Sequence, residues 1–411
     1  MILRHKKHLV ELFDKVHTLN LNKGETSLLA LEIQEELIVR LTRSERTTTK
    51  LKKSHTAFKV ELAKPGKSRE ESKIIKAKIQ ETNDKLEVER YYRWCLRTIG
   101  DSIAFTYGNK WDLKNFGFKE DPGFISGKKG ARLERKILRG GFARGITVIL
   151  NDLTNTLRHG DITTFYPLFP EGNAPFFLVE AKSGKGGNKE RMDRQMEASQ
   201  AILSYISTDQ KMENGVFHTR IEAGRASTHH RQAAAKLIHS LPDRGFVCKE
   251  IEPGLVYLVL DCKIAPDAVG NAMSSALKPD WLPFGISLND LKQQNLAYYP
   301  WPLTFIDSEQ LFRFYNGEFL MMIFVDLHTV NDIISKKGMS IAFTDNVSYP
   351  WQVHQTTRTS DFEGSFVGVH ILGRLASEFL SLEWLLENIV ITQDEMAKTI
   401  ASGSITGNDL S

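Results

Sequence analysis

The sequence predicts an α/β protein with a helical N-terminal region and a C-terminal α+β unit. Three observations predict it. Residues 1–90 place apolar side chains at helical spacing and contain no strand-like run. Short apolar segments alternate with helical ones through residues 91–265. Residues 266–411 open on a Pro- and Gly-rich stretch and then carry a second set of strands and a strongly apolar helix. The expected division is therefore 1–90, 91–265 and 266–411.

In the first segment, Leu28, Leu31, Glu32, Glu35, Glu36 and Val39 set apolar and acidic faces of a helix. Lys64-Pro65-Gly66-Lys67-Ser68 interrupts it. Residues 69–90 are highly charged, with Ile75, Ile79, Leu86 and Val88 as sparse apolar positions, which suits an exposed helix or one arm of a hairpin. Tyr91, Tyr92 and Trp94 begin a helix that enters the main core. Gly123, Gly127 and Gly130 mark a loop, and a helix follows from Ala131 to Leu138 with a possible continuation to Leu157. Asp161 to Phe165 and Phe176 to Lys182 read as strands, and Ser183 to Asn188 as a glycine-rich loop. Helices at 190–206 and 231–240 precede strands at 246–250 and 255–260. Residues 267–301 show little periodicity and read as irregular. Strands at 319–325 and 364–369 and a helix at 372–388 complete the chain.

The composition narrows the function classes. No uncharged apolar run nears the ~20 residues that span a bilayer, and the charged start offers no secretory signal. Three scattered cysteines do not make a disulfide framework or a four-thiolate zinc site, so a reduced cytoplasmic setting is expected. The formal charge of +4 conceals an asymmetry. Residues 1–200 carry 38 Lys and Arg against 26 Asp and Glu, while the remainder carry 16 against 24. A basic half in a nearly neutral chain suits a surface that faces a polyanion.

The chemistry-bearing stretch is Asp161-Ile162, then Glu180-Ala181-Lys182. Along an extended strand Glu180 and Lys182 share one side and Ala181 takes the other. Asp161 opens a strand able to pair with this one, so two carboxylates can converge. Hard oxygen ligands of this kind suit Mg²⁺ or Mn²⁺, and the Ala181 carbonyl offers a further oxygen. Lys182 would stand beside the metal and orient an attacking water. Such a group suits phosphodiester hydrolysis, because the metal screens phosphate charge and lowers the pKa of its water.

The arrangement resembles the PD-(D/E)xK nuclease superfamily over about residues 91–262. Asp161 matches the first acid of that motif, Glu180 the second and Lys182 the lysine. The resemblance implies a further acid on a preceding helix, for which Glu134 is the candidate. In RecB-like members a Gln and a Tyr follow the lysine; Gln195 and Gln200 compete for the first role and Tyr205 fits the second. Gly160 stands where the family usually has Pro. The resemblance implies a restriction-endonuclease-like mixed sheet flanked by helices. It also implies a Mg²⁺- or Mn²⁺-dependent endonuclease acting on double-stranded DNA, of a kind found in restriction or phage defence. The alternative is a non-catalytic nucleic-acid-binding or assembly protein on a degenerate nuclease fold; an RNA substrate is a third reading. The flanking regions would serve DNA engagement, a homo-oligomer or a partner protein.

Lys185, Lys189, Arg191 and Arg194 follow the motif and are candidates for phosphate contacts. Arg132, Arg135, Lys136 and Arg139, around Glu134, are candidates of the same kind. His159 adjoins Asp161 and reads more readily as structural. Pro65-Gly66-Lys67-Ser68 lacks the earlier glycine of a phosphate-binding loop, since Glu61 stands there. His229, His230 and His239 lack a Cys or acid at metal spacing.

Overall fold

The computed structural model describes residues 2–21, 28–113, 123–128, 130–165, 176–181, 197, 200–202, 204–206, 208, 210–213, 216–219, 225–291, 305–355 and 365–401. These residues form a mixed α/β protein with a helical N-terminus and small antiparallel sheets. The chain divides into two compact units: Met1–Ile202 with Ala297–Asn316, and Leu203–Leu296 with Gly317–Ser411.

The first unit is built on three helices, α1 (Lys6–Leu21), α2 (Leu28–Leu62) and α3 (Arg69–Tyr107). The break between α2 and α3 falls at Pro65 and Gly66, where Gly66 takes φ +84. Ser68 then caps α3: its hydroxyl accepts the Glu71 N–H at 3.1 Å while the Glu71 carboxylate accepts the Ser68 N–H at 2.8 Å. The two helices pack on each other as a hairpin, with Ile33, Leu37 and Leu41 buried on one and Leu96, Ile99 and Ile103 on the other. Beyond Thr48, α2 buries no side chain, and α3 buries only Ile75 and Thr82 before Glu89, so the far half of the hairpin presents its charged residues to solvent.

Helix α4 (Ala131–Phe142) leads into a meander of strands β1 (Thr147–Leu150), β2 (Ile162–Phe165) and β3 (Phe176–Val179), paired in the order β1-β2-β3. The expected continuation of α4 toward Leu157 gives way to β1: the run Thr147-Val148-Ile149-Leu150 opens with three β-branched residues and is buried throughout, which favours a core strand. Strand β1 is an edge of this sheet, and a side chain of α2 completes its hydrogen bonding. Gln34 Nε2 donates to the Val148 carbonyl at 2.8 Å, and the Leu150 N–H donates to Gln34 Oε1 at 3.1 Å. The strand expected to reach Lys182 ends at Val179. Helix Ser308–Tyr315 returns to this unit and buries Leu311, Phe312, Phe314 and Tyr315.

The second unit contains the hairpin β4 (Gln210–Glu213) and β5 (Val216–Thr219), a four-stranded sheet and a small three-stranded sheet. Strands β6 (Phe246–Glu252) and β7 (Leu255–Asp261) were expected to accompany the Asp161 strand. Instead β6 pairs with β7, and β7 pairs on its other side with β9 (Phe319–Asp326), which also receives β8 (Pro283–Ser287). The stretch expected to be irregular thus supplies β8 and a helix, Pro266–Ala276, whose Ala272 and Ala276 pack with Val256, Leu258 and Leu260. Strands β10 (Met339–Phe343), β11 (Trp351–Gln355) and β12 (Ser365–Val367) form the last sheet. The single helix expected at 372–388 is interrupted at Gly373 and at Phe379, which takes φ +57, before the helix Leu382–Ala401. Every strand pair among the described residues is antiparallel, so the parallel pairing that a mixed sheet requires is not among them.

Candidate active site

Asp161 lies one residue before β2. Its N–H donates to the Val179 carbonyl at 3.2 Å, and its own carbonyl accepts the Asn151 N–H at 3.0 Å. These bonds hold it between β1 and β3. The preceding Gly160 takes φ +73. Proline, fixed near φ −65°, does not adopt that angle, which gives a local reason for glycine at the position. Asn151 secures the same turn: its Nδ2 donates to the His159 carbonyl at 2.7 Å, and its Oδ1 accepts the Thr163 hydroxyl at 2.8 Å. Burial lowers the pKa of His159.

Three carboxylates meet at one ammonium. Lys128 Nζ is 2.9 Å from Glu134 Oε1, 2.9 Å from Asp152 Oδ2 and 2.9 Å from Asp161 Oδ1. The other Asp161 oxygen accepts the Ala181 N–H at 3.0 Å. Each acid comes from a different element. Glu134 sits in the first turn of α4 and is buried with Leu138 and Phe142 on the inward face. Asp152 lies on a single 3₁₀ turn, Asn151–Leu153, whose Asp152 carbonyl accepts Arg97 Nε at 3.1 Å. Lys128 comes from the loop before α4, and that loop is fixed by α2: Glu45 accepts the N–H groups of Ile125 and Ser126 at 2.9 and 2.8 Å.

The electrostatics follow from this crowding. Burial alone would lower the Lys128 pKa, but the hydrogen bonds and charges of Asp152, Asp161 and Glu134 outweigh it and hold the ammonium well above the usual lysine range. Burial pushes the Glu134 carboxyl up; Lys128 opposes this, while Asp161 and Asp152 reinforce it. At Gly130 an added Cβ would lie 2.9 Å from Glu134 Oε1 and 3.8 Å from the Ala181 carbonyl oxygen. Those two oxygens therefore border one small space, which a side chain at 130 would fill.

The donor set fits a hard divalent cation: three carboxylates and a main-chain carbonyl. Oxygens 2.9 Å from a common centre would have to close by roughly 0.8 Å to reach Mg²⁺ distances of about 2.1 Å. As the side chains stand, Lys128 occupies that centre, and no group of three His, Cys, Asp or Glu spaced for a metal occurs among the described residues.

Of the residues expected from sequence, the structure brings together Glu134, Asp161 and Ala181. Glu180 is exposed, one position past β3, and is not among the carboxylates on Lys128. Lys182, Lys185, Lys189, Arg191, Arg194 and Gln195 lie outside the described residues; Gln200 is exposed and Tyr205 buried. Asp152 and Lys128 were not anticipated. Asp152 was hidden by extending a helix across it, although the glycines at 140, 141 and 145 ahead of a β-branched run signalled a strand. Lys128 carries no sequence pattern of its own. No family model, curated protein or solved structure matches the chain.

Proposed function

We propose that the chain is a metal-dependent nuclease of the restriction-endonuclease-like fold that hydrolyses phosphodiester bonds in double-stranded DNA. The observation that carries this reading is the convergence of Glu134, Asp152 and Asp161, with the Ala181 carbonyl beside them, at one end of the β1-β2-β3 meander. An acid on a helix, an acid opening a strand and a neighbouring strand end is the arrangement that the sequence resemblance implies.

Glu134, Asp152, Asp161 and the Ala181 carbonyl would hold Mg²⁺ or Mn²⁺. When bound, the ion would screen the phosphate and lower the pKa of its water. Burial pushes the Glu134 carboxyl up, and a bound cation would oppose that shift by favouring the carboxylate. Lys128 supplies a fixed positive charge where negative charge grows in the transition state. Glu180, exposed one position past β3, has no part in this ligand set, and Lys182 lies outside the described residues.

The experiment is cleavage of supercoiled plasmid and of linear duplex in Mg²⁺ and in Mn²⁺, with a matched RNA in parallel. Asp161→Asn and Glu134→Gln should each reduce the rate by at least about 10²-fold, the scale of losing a positioned proton acceptor or charge. A wild-type chain that cuts neither DNA nor RNA in either metal overturns the proposal. One observation favours a second reading, a non-catalytic nucleic-acid-binding protein: the Lys128 ammonium already stands 2.9 Å from an oxygen of each of the three carboxylates without an ion. On that reading the variants bind DNA as the wild type does, and none cuts.

A further inference from the structure

Beside the acid cluster lies a cavity of about 700 Å³ whose charged lining is entirely basic: Arg46 from α2, Lys128 from the loop, and Arg132, Arg135, Lys136 and Arg139 from α4. Lys128 belongs to both places: it lines the cavity, and its ammonium holds the three acids. Arg139 pairs with Glu35, with Nε and Oε1 at 2.6 Å. Arg46, Arg132, Arg135 and Lys136 have no carboxylate partner among the described residues, and all four are exposed. Their spacing on α4 sets like charges three and four residues apart, which costs an isolated helix about 0.2–0.5 kcal/mol per pair. The one acid of α4, Glu134, is buried on the opposite face and does nothing to relieve that repulsion. The same basic face continues along α2: Lys50 and Lys53 follow Arg46 at four and seven residues and are exposed. Between Arg46 and Gln80, eleven Lys and Arg stand against three Glu. A purely solvated surface gains nothing from cations gathered in a concavity without counter-charges; a ligand with regularly spaced anions does.

We propose that this cavity and the adjoining face of α2 form a phosphate-binding groove that seats the sugar–phosphate backbone of duplex DNA against the acid cluster. The inference rests on the nuclease reading for its choice of ligand, but it assigns binding to residues outside the motif. Each phosphate neutralised by Lys or Arg releases counterions, so log K falls with log salt with a slope near −0.9 per contact.

The test is fluorescence anisotropy of a labelled 20-base-pair duplex, titrated in EDTA from about 50 to 200 mM salt so that cleavage plays no part. The fourfold variant R46A/R132A/R135A/K136A should bind at least about 10²-fold more weakly, with a slope shallower by about 3–4. Arg46→Ala and Lys136→Ala alone should each remove roughly one unit of slope and stand in if the fourfold variant does not fold, as judged by circular dichroism. Lys263→Ala and Lys336→Ala, exposed positions of the second unit, should leave the slope unchanged. Failure of the wild type to bind, an unchanged slope in the cavity variants, or an equal loss in the control variants overturns the groove. Asp161→Asn separates the two proposals: if the groove variants lose binding and the wild type never cuts, the nuclease reading falls and the groove stands. If the wild type and Asp161→Asn bind alike and only the former cuts, but the cavity variants keep full affinity, the groove falls and the nuclease reading stands.

Discussion

Lys128 is the residue on which the site's charge balance turns. Its ammonium is held above the ordinary lysine value of about 10.4, so the stabilisation it gives is complete at any pH below that value. It is lost only as pH rises through the still higher folded-state value. Between pH 5 and 9 Lys128 therefore adds no slope to the stability of the wild type. Lys128→Met leaves Glu134, Asp152 and Asp161 facing one another without a cation. Breaking a buried charge pair from one side costs about 3–5 kcal/mol, and the partial exposure of this site places the expected loss near the lower end, about 3 kcal/mol at pH 7. Glu134 fixes the pH dependence. A carboxyl whose folded-state pKa is raised favours the fold when protonated, so the variant should recover stability as pH falls through that value. Urea unfolding at pH 7 and pH 5 should show a smaller deficit at the lower pH, and 10 mM Mg²⁺ should stabilise the variant more than the wild type. A deficit equal at both pH values, with no response to Mg²⁺, would mean that the three acids are not coupled through this lysine. Asp161 was legible in the sequence as the opening of a strand, and Glu134 only as the further acid that the resemblance implies on a preceding helix. Lys128 was not, because only the tertiary fold brings its loop to three acids drawn from separate elements.

At the scale of elements, α3 crosses the turn that carries Asp152 at a point where only glycine fits. A Cβ on Gly100 would stand 1.9 Å from the Leu153 carbonyl oxygen. Helix propensity alone predicts that Gly100→Ala stabilises α3 by roughly 0.5–1 kcal/mol. The contact reverses the sign, because a main-chain carbonyl does not rotate away as a long side chain does. The expected outcome is a loss of about 2–3 kcal/mol from overpacking, read as a lower urea midpoint. A midpoint at or above the wild type's would show that α3 and the turn can separate freely. This crossing also explains what the sequence revealed of the fold and what it hid. The α2–α3 break was legible from Pro65, Gly66 and Ser68, since turn and cap chemistry act over a few residues. The edge of β1 was not. Its hydrogen bonds are completed by the Gln34 amide from a helix more than a hundred positions away, and no local pattern marks a glutamine for that task. For the same reason β7 looked like a neighbour of β2 in sequence, yet its second partner β9 arrives some sixty residues later.

At the scale of the molecule, the first unit is discontinuous: its body ends at Ile202, and Ala297–Asn316 returns to it. The returning helix is not an accessory. Leu311, Phe312 and Phe314 are completely buried and Tyr315 is 1% exposed, with Phe13 stacked against the Tyr315 ring at 5.6 Å. Polar bonds fix its register: Tyr91 Oη donates to the Tyr315 carbonyl at 2.7 Å, and the Ile2 N–H donates to Asn316 Oδ1 at 2.9 Å. Burying four such side chains contributes on the order of 6–12 kcal/mol, which is comparable with the whole net stability of a domain at about 5–15 kcal/mol. A fragment of residues 1–202 therefore loses most of its margin even though it contains every described residue of the acid cluster and the basic cavity. It should show no cooperative thermal transition and should bind a dye for exposed apolar surface. Joining residues 305–316 to the fragment through a long Gly/Ser linker should restore a cooperative transition, because the linker adds only a slowly growing loop-closure cost while returning the buried aromatic side chains. Double substitution of Phe312 and Phe314 by Ser in the joined chain should abolish that recovery. A fragment 1–202 that melts cooperatively without the helix would show instead that the layers around the acid cluster hold together on α1 to α4 and the meander alone.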